Sequence, residues 1–329
     1  MRLFFKKILI FLLAVLLVSF VTDYLISEGL RTSDRYAQGE TYIWNQILEG
    51  DISEDIYIYG SSRAWVHFDP ALIEDSLGMT AYNFGIDGHF FWFQHLRHKL
   101  LLKNNPKPKF ILLSLDVFTL TKYEDIYALN INDDFYNSKQ FSPFILNAEI
   151  RQYTSKYKGF SWLDYNLPLY RYYGKTEDLR EAIRDKSRPF GDSNFRRKGY
   201  RAVGRTWTVD FEKAKSKMVH YEVIKHQPYV DLMNQFLKEC RELDIKVIMI
   251  YSPEYIEGQE FVKNRVELMN TYTKISKTHQ IPFLDYSRDS LCYDQSLFYN
   301  SQHLNAKGSK LFSEKLGNDL KEYIFDKSN

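Results

Sequence analysis

Three short stretches of this chain carry residue types whose spacing could do chemistry. The first is Gly60-Ser61-Ser62-Arg63, which stands between a β-rich run and a helical stretch. A serine nucleophile needs such a strand-to-helix turn, because the turn exposes Oγ and aims helix-start N–H groups at a developing oxyanion. Gly60 supplies the backbone freedom that a sharp turn requires. Taken alone, the same residues also read as an ordinary turn with a helix N-cap. The second stretch, Tyr82 to Gly88, follows another apolar run and contains Gly85 and Gly88. Paired glycines there let the backbone approach a ligand and present N–H groups to it, although a plain loop has the same composition. The third is Asn300-Ser-Gln-His303-Leu-Asn305-Ala-Lys-Gly308, just ahead of a C-terminal helix. His303 works as a base only if it reaches a serine Oγ while an acceptor holds its other nitrogen.

The elements that must position these residues alternate. Asp55 to Tyr59 is a short strand, and Asp69-Pro70 opens a helix to Leu77. Thr80 to Asn83 is a second strand and Phe90 to Lys103 a helix. Lys109 to Leu115 and Lys246 to Tyr251 are continuous apolar runs, the pattern of strands buried on both faces of a parallel sheet. Tyr229 to Leu243 and Phe261 to His279 read as helices, Pro282 to Asp285 as a strand, and Ala306 to Phe325 as a closing helix. The expected fold is a three-layer α/β/α sandwich around a parallel sheet. Residues 121–220 break the rhythm. They are rich in Tyr, Asn and basic residues, including Arg171, Arg184, Arg188, Arg196, Arg197, Lys198, Arg201 and Arg205. This stretch reads as a partly helical insertion over the strand ends. Its basic and aromatic side chains suit either a solvated surface or contact with an anionic polymer or membrane headgroups.

The N-terminus sets the compartment. Arg2, Lys6 and Lys7 precede an apolar run from Ile8 to Val21, and Asp23 and Glu28 follow it. That asymmetry keeps the N-terminus cytoplasmic and exports the rest. No small-x-small cleavage signal follows the run, so residues 1–28 are expected to be an uncleaved anchor, with a cleaved signal peptide as the alternative. Residues 29–54 then form a connector, and residues 55–325 form the α/β domain.

Composition excludes several classes. With 329 residues, 44% hydrophobic and 26% charged, the chain can bury a full core and is not of disordered composition. A net charge of +2 gives no global attraction to nucleic acid. Cys240 and Cys292 lie far apart and form no CxxC pair; in an exported domain they could bridge, but nothing in their spacing demands it. His89, His95 and His98 lack the carboxylates of a recognised metal pattern, so no metal and no cofactor is expected.

The order and context of the three motifs resemble the SGNH/GDSL hydrolase superfamily from about Asp55 to Phe325. The family's Gly-Asp-Ser block looks like Gly60-Ser61-Ser62, which makes Ser62 the nucleophile and a backbone oxyanion donor. Its second-block glycine, also an oxyanion donor, falls on Gly88. The final Asp-x-x-His block looks like Asn300 to His303. The closest likeness is to membrane-anchored members associated with acyl groups on cell-envelope polymers. Two departures stand out. Leu115 occupies the place of the third-block oxyanion asparagine, in Leu113-Ser114-Leu115-Asp116, and Asn300 replaces the aspartate that orients the histidine. An amide accepts a hydrogen bond but brings no charge to stabilise imidazolium.

The resemblance therefore implies a Ser62–His303 dyad assisted by Asn300, with Arg63, Asp87 and Asp116 as candidate substrate contacts. For Arg63 a structural pairing with Asp87 or Asp116 is equally compatible with the sequence. The expected activity is ester hydrolysis or O-acyl transfer on an envelope glycan, with the membrane and a membrane-bound acyl donor as partners. A weak or inactive SGNH-fold assembly factor is the competing expectation.

Overall fold

The computed structural model describes residues 1–33, 39–86, 91–121, 138–155, 160–174, 179–180 and 195–325. Contacts divide the chain into two compact units, Met1–Gln46 with Asp134–Phe195, and Ile47–Asp133 with Arg196–Asn329.

The second unit holds the sheet. Strands β1 (Ile56–Tyr59), β2 (Ala81–Asn83), β3 (Phe110–Leu115), β4 (Lys246–Tyr251) and β5 (Phe283–Asp285) lie in the order β2-β1-β3-β4-β5. All neighbours pair in parallel, with Ile58 opposite Leu112 and Leu112 opposite Ile248. Every residue of β1 and β3 is buried, because helices cover both faces. Alternation sorts the side chains. Ile56 and Ile58 join Phe68, Ile73, Phe312, Leu316 and Leu320 in one apolar layer. Tyr59 turns the other way, against Phe236 and His98. The flanking helices are thus α4 (Pro70–Leu77) and Ala306–Phe325 on one face, and α5 (Phe91–Asn104) and Gln227–Glu242 on the other. This is the parallel sheet with flanking helices that the SGNH resemblance implies.

Chain order explains where a site forms. After β1 the chain moves out to β2, then crosses back to β3 on the opposite side of β1. Connections diverge at the C-terminal end of β1, and α/β sheets hold ligands in the crevice such a reversal leaves. Residue Gly60 follows β1 there, and α3 (Ser62–His67) begins two residues later.

Most boundaries fall within a residue or two of the sequence reading. Asp69 caps α4 by accepting the Ala71 N–H (3.0 Å), and Gly78 ends it in left-handed backbone at φ 65°. One boundary moves further. The helix expected from Phe261 begins at Arg265. Asn264 explains the shift, since its side chain accepts the Val223 N–H (2.9 Å) and donates to the Val223 carbonyl (2.8 Å). Val262 also bridges Tyr221, so the segment is kept out of the helix by residues that no local periodicity reveals. Cys240 and Cys292 are separate, buried free thiols.

The first unit contains α1 (Arg2–Thr32), whose apolar side chains from Leu3 to Leu25 are largely exposed. It is long and apolar enough to cross a membrane. Only Asp23, Ser27 and Leu30 of this helix are buried. Asp23 pairs with Arg171 (2.5 Å), and Ser27 bonds to the Tyr172 hydroxyl (2.8 Å). The last turns of α1 are therefore integral to the packing of Arg171 and Tyr172.

Candidate active site

The Gly60–Ser62 turn is fixed by sterics. Gly60 sits at φ 149°, and a Cβ there would meet the Ser114 carbonyl at 2.8 Å and the Ala64 side chain at 2.9 Å. Only glycine suits both the torsion and the space. Gly60 N–H donates to Gln94 Oε1 (2.9 Å), and the Gly60 carbonyl accepts Ile86 N–H (2.9 Å). The start of the β2–α5 loop is thereby bolted to the turn. Asn83 adds to this by donating to the Ala64 and Phe68 carbonyls (2.8 and 2.9 Å) and accepting the Gly85 N–H (2.9 Å).

The two adjacent serines have different partners. Ser61 is the N-cap of α3, accepting the Arg63 N–H (3.3 Å) while its hydroxyl donates to Asp116 Oδ2 (2.5 Å). Ser62 is the first helical residue, so its N–H is among those that a helix start leaves without an intrahelical acceptor. Its Oγ lies 2.7 Å from His303 Nε2.

Asn300 determines which way that hydrogen bond runs. Its Oδ1 accepts the backbone N–H of Gln302 (3.0 Å) and of His303 (2.9 Å), and also faces His303 Nδ1 (3.0 Å). Backbone N–H groups can only donate, so the amide must present oxygen, not nitrogen, to this corner. His303 Nδ1 therefore carries the proton, and Nε2 keeps its lone pair for the Ser62 hydroxyl. The tautomer is the one a general base needs, selected without a carboxylate.

Around the imidazole, Tyr299 stacks on one face (5.3 Å between centroids, 11° between planes), and His67 meets it edge-on (6.1 Å). Burial, and next the Arg63 charge, lower the His303 pKa to about 3. The ring is neutral over the physiological range.

His67 was not singled out among the sequence's histidines, yet it ties the site together. Its Nε2 accepts the N–H of Leu304 (3.0 Å), so Nδ1 bears the proton and donates to Ser252 Oγ (2.8 Å). Helix α3 thus carries the serine at its start and, at its end, a clamp on the loop holding His303. No local signal marks His67, because Ser252 and Leu304 lie 185 and 237 positions away. Burial first, then the charges of Arg63 and His303, hold its pKa well below the ordinary range.

The remaining candidates fall as follows. Arg63 is buried; it donates to the Ser252 carbonyl (2.5 Å), lies 3.8 Å from Glu254, and stacks over Tyr251 (4.7 Å). Among the described residues its ionic partner is Glu254 rather than Asp116, and its guanidinium is buried. Asp116, expected among substrate contacts, is also buried and holds Ser61 and the Phe118 N–H (2.7 Å). Its role in this geometry is to brace the turn. Asp87, Gly88 and His89 lie outside the described residues. Leu115 is fully buried at the end of β3 and offers no side-chain donor. His98 bonds the Tyr59 hydroxyl (3.1 Å) and His95 approaches Glu239 (3.5 Å), both on the buried face of α5. Part of the basic run does border the site. Arg196 and Arg201 stack over Trp65 of α3 (4.1 and 5.4 Å), and the Arg201 N–H donates to the Trp65 carbonyl (3.3 Å).

The buried histidines make a pH prediction. His303 and His98 fall to about 3 in the folded chain, from an ordinary 6.5, and His67 is lowered too. Between those values the unfolded chain binds more protons, so stability is full above about pH 6.5 and is lost on acidification toward pH 3. The urea midpoint should be lower at pH 4.5 than at pH 7.5. An unchanged midpoint would show that these rings are not held neutral.

No family model matches the sequence, and no curated protein matches it. Among solved structures, an acetyl xylan esterase (AlAXEase) aligns at a TM-score of 0.40 and 13% identity, covering 82% of this chain and 99% of that one. A GDSL-like lipase from Bacteroides thetaiotaomicron aligns at 0.36 and 10% identity, covering 82% and 88%. Both are similarities of overall architecture, so the reading of the site stands on its own geometry.

Proposed function

We propose that the chain is a membrane-anchored, extracytoplasmic serine esterase or O-acyltransferase acting on acyl groups, acetyl above all, of an envelope glycan or related polymer. The observation that carries this reading is the 2.7 Å contact between Ser62 Oγ and a His303 whose tautomer Asn300 selects. In the first half-reaction, His303 Nε2 takes the Ser62 proton as Oγ attacks the acyl carbonyl. The Ser62 N–H stabilises the oxyanion in this reading. The tetrahedral intermediate then expels its alkoxide, which recovers the proton from His303. In the second half-reaction water or a sugar hydroxyl, deprotonated by His303, resolves the acyl-enzyme. Hydrolysis and transfer use the same parts and differ only in what enters last.

The positive flank of Lys6 and Lys7 supports an N-terminus left in the cytoplasm, with α1 as the span. The test is turnover by the full-length protein in detergent micelles. Release of p-nitrophenol from its acetate ester supports the reading, and acetylated oligosaccharide formed in place of free acetate identifies a transferase. A rate that is the same with and without enzyme would contradict both.

A further inference from the structure

We propose that residues 160–174 form a second membrane contact, lying in the headgroup region of the bilayer that α1 crosses. The inference deepens the proposed function and rests on reading α1 as a retained span.

Length sets the level at which this contact forms. A hydrocarbon core of about 30 Å takes roughly 20 helical residues at about 1.5 Å each. Counted from Lys7, that distance ends near Ser27, roughly one helical turn beyond Asp23. Here α1 stops being bare and becomes bonded to the 160–174 segment. Asp23 accepts from Arg171 (2.5 Å) and from the Leu169 N–H (2.7 Å). Arg171 also donates to Ser27 Oγ (3.0 Å). Leu169 itself sits at φ 68°, a left-handed conformation that leucine seldom adopts, and it is held there with its N–H on Asp23. The segment is clamped to the helix where the helix leaves the lipid.

What the clamped segment shows to its surroundings fits that level. Trp162 is 71% exposed and Tyr173 84% exposed, with Leu163, Leu167 and Tyr170 exposed between them. Tyr170 and Tyr173 stack on each other at 6.4 Å. Large aromatic side chains bared to water are costly, whereas Trp and Tyr are enriched at the boundary of bilayer and water. The bare lipid-facing surface of α1 continues to Tyr24 and Leu25, at the level of the Asp23 clamp. The occupant that follows from this continuity is the lipid surface. Cleavage of α1 beyond Asp23 would leave Arg171 buried without its carboxylate, so the same bonds favour an intact anchor.

Spin labels test this in the full-length protein reconstituted in vesicles of phosphatidylethanolamine and phosphatidylglycerol. Single labels would be placed at Trp162→Cys and Tyr173→Cys, with Leu13→Cys inside α1 and Val219→Cys, 83% exposed in the other unit, as references. The native thiols are buried and stay unlabelled. Oxygen, which partitions into lipid, is compared with a water-soluble nickel chelate as collision partner. The expected result is an oxygen-to-nickel ratio at residues 162 and 173 severalfold above that at 219, with residue 13 highest. Lipid access at 13 with aqueous access at 162 and 173 would overturn the second contact and leave the anchor standing. Shielding of 162 and 173 from both reagents would point to a protein partner and equally overturn it. Aqueous access at 13 would overturn the anchor reading, and the inference with it.

Discussion

Ser62→Ala lowers acyl-ester turnover by about 10⁴-fold or more, with the fold unchanged. The substitution removes the hydroxyl that touches His303 Nε2. Alanine is well tolerated inside a helix, and position 62 follows the N-cap, so α3 keeps its start. Ser61 cannot take over, because its hydroxyl is committed to Asp116 and its oxygen caps α3. The companion variant Ser61→Ala separates the two roles. Losing the cap should cost stability, by about 0.5–2 kcal/mol, while turnover persists. Thermal unfolding and steady-state rates measured on both variants check the pair. The reverse pattern, with activity lost at Ser61 and kept at Ser62, would exchange their assignments.

Asn300 gives the second large effect, and it runs in opposite directions for two substitutions. Asn300→Leu strips the acceptor from His303 Nδ1 and from two backbone N–H groups at once. Nothing then holds the proton on Nδ1, and turnover should fall by about 10⁴-fold, the loss seen on disturbing the equivalent group of a protease triad. Asn300→Asp keeps the three acceptor contacts and adds a negative charge beside the ring. An opposite charge at that distance raises a histidine pKa by roughly 1–3 units. The sign follows directly. His303 starts at about 3, so the acid limb of kcat/KM lies well below neutrality in the native chain and moves upward in the variant. A more basic His303 whose imidazolium is stabilised should also raise kcat at pH 7, by about tenfold. A pH–rate profile of Asn300→Asp identical to that of the native protein would show that His303 is not the base.

Much of the α/β frame is legible because its signals are local. The runs 110–113 and 247–251 are apolar without interruption, as strands covered on both faces must be. Asp69-Pro70 and Gly78 punctuate α4 at both ends. The sequence picks out Ser62 and His303 by the order of their motifs; the structure brings the two side chains together, and their catalytic role is the proposal tested above. What is not legible depends on partners far along the chain. His67 looks like one more residue of a buried helical turn until Ser252 and Leu304 are in place. Arg63 has several carboxylates within reach on paper, and only the fold selects Glu254. Asp23 reads as the polar flank of an apolar run, whereas it is a buried ion pair with Arg171. Ser27 is likewise satisfied by a residue 145 positions away, beyond the reach of any local signal.

The central claim is that Ser62 is a nucleophile activated by His303. The most direct measurement is the inactivation rate of the full-length protein by a fluorophosphonate, with the modified peptide identified by mass spectrometry. The account predicts one adduct, on Ser62, formed in the native protein and slowed by about 10³-fold in His303→Gln, where the base is lost. A folded native protein that takes up no label, or an adduct formed equally fast without His303, would contradict it.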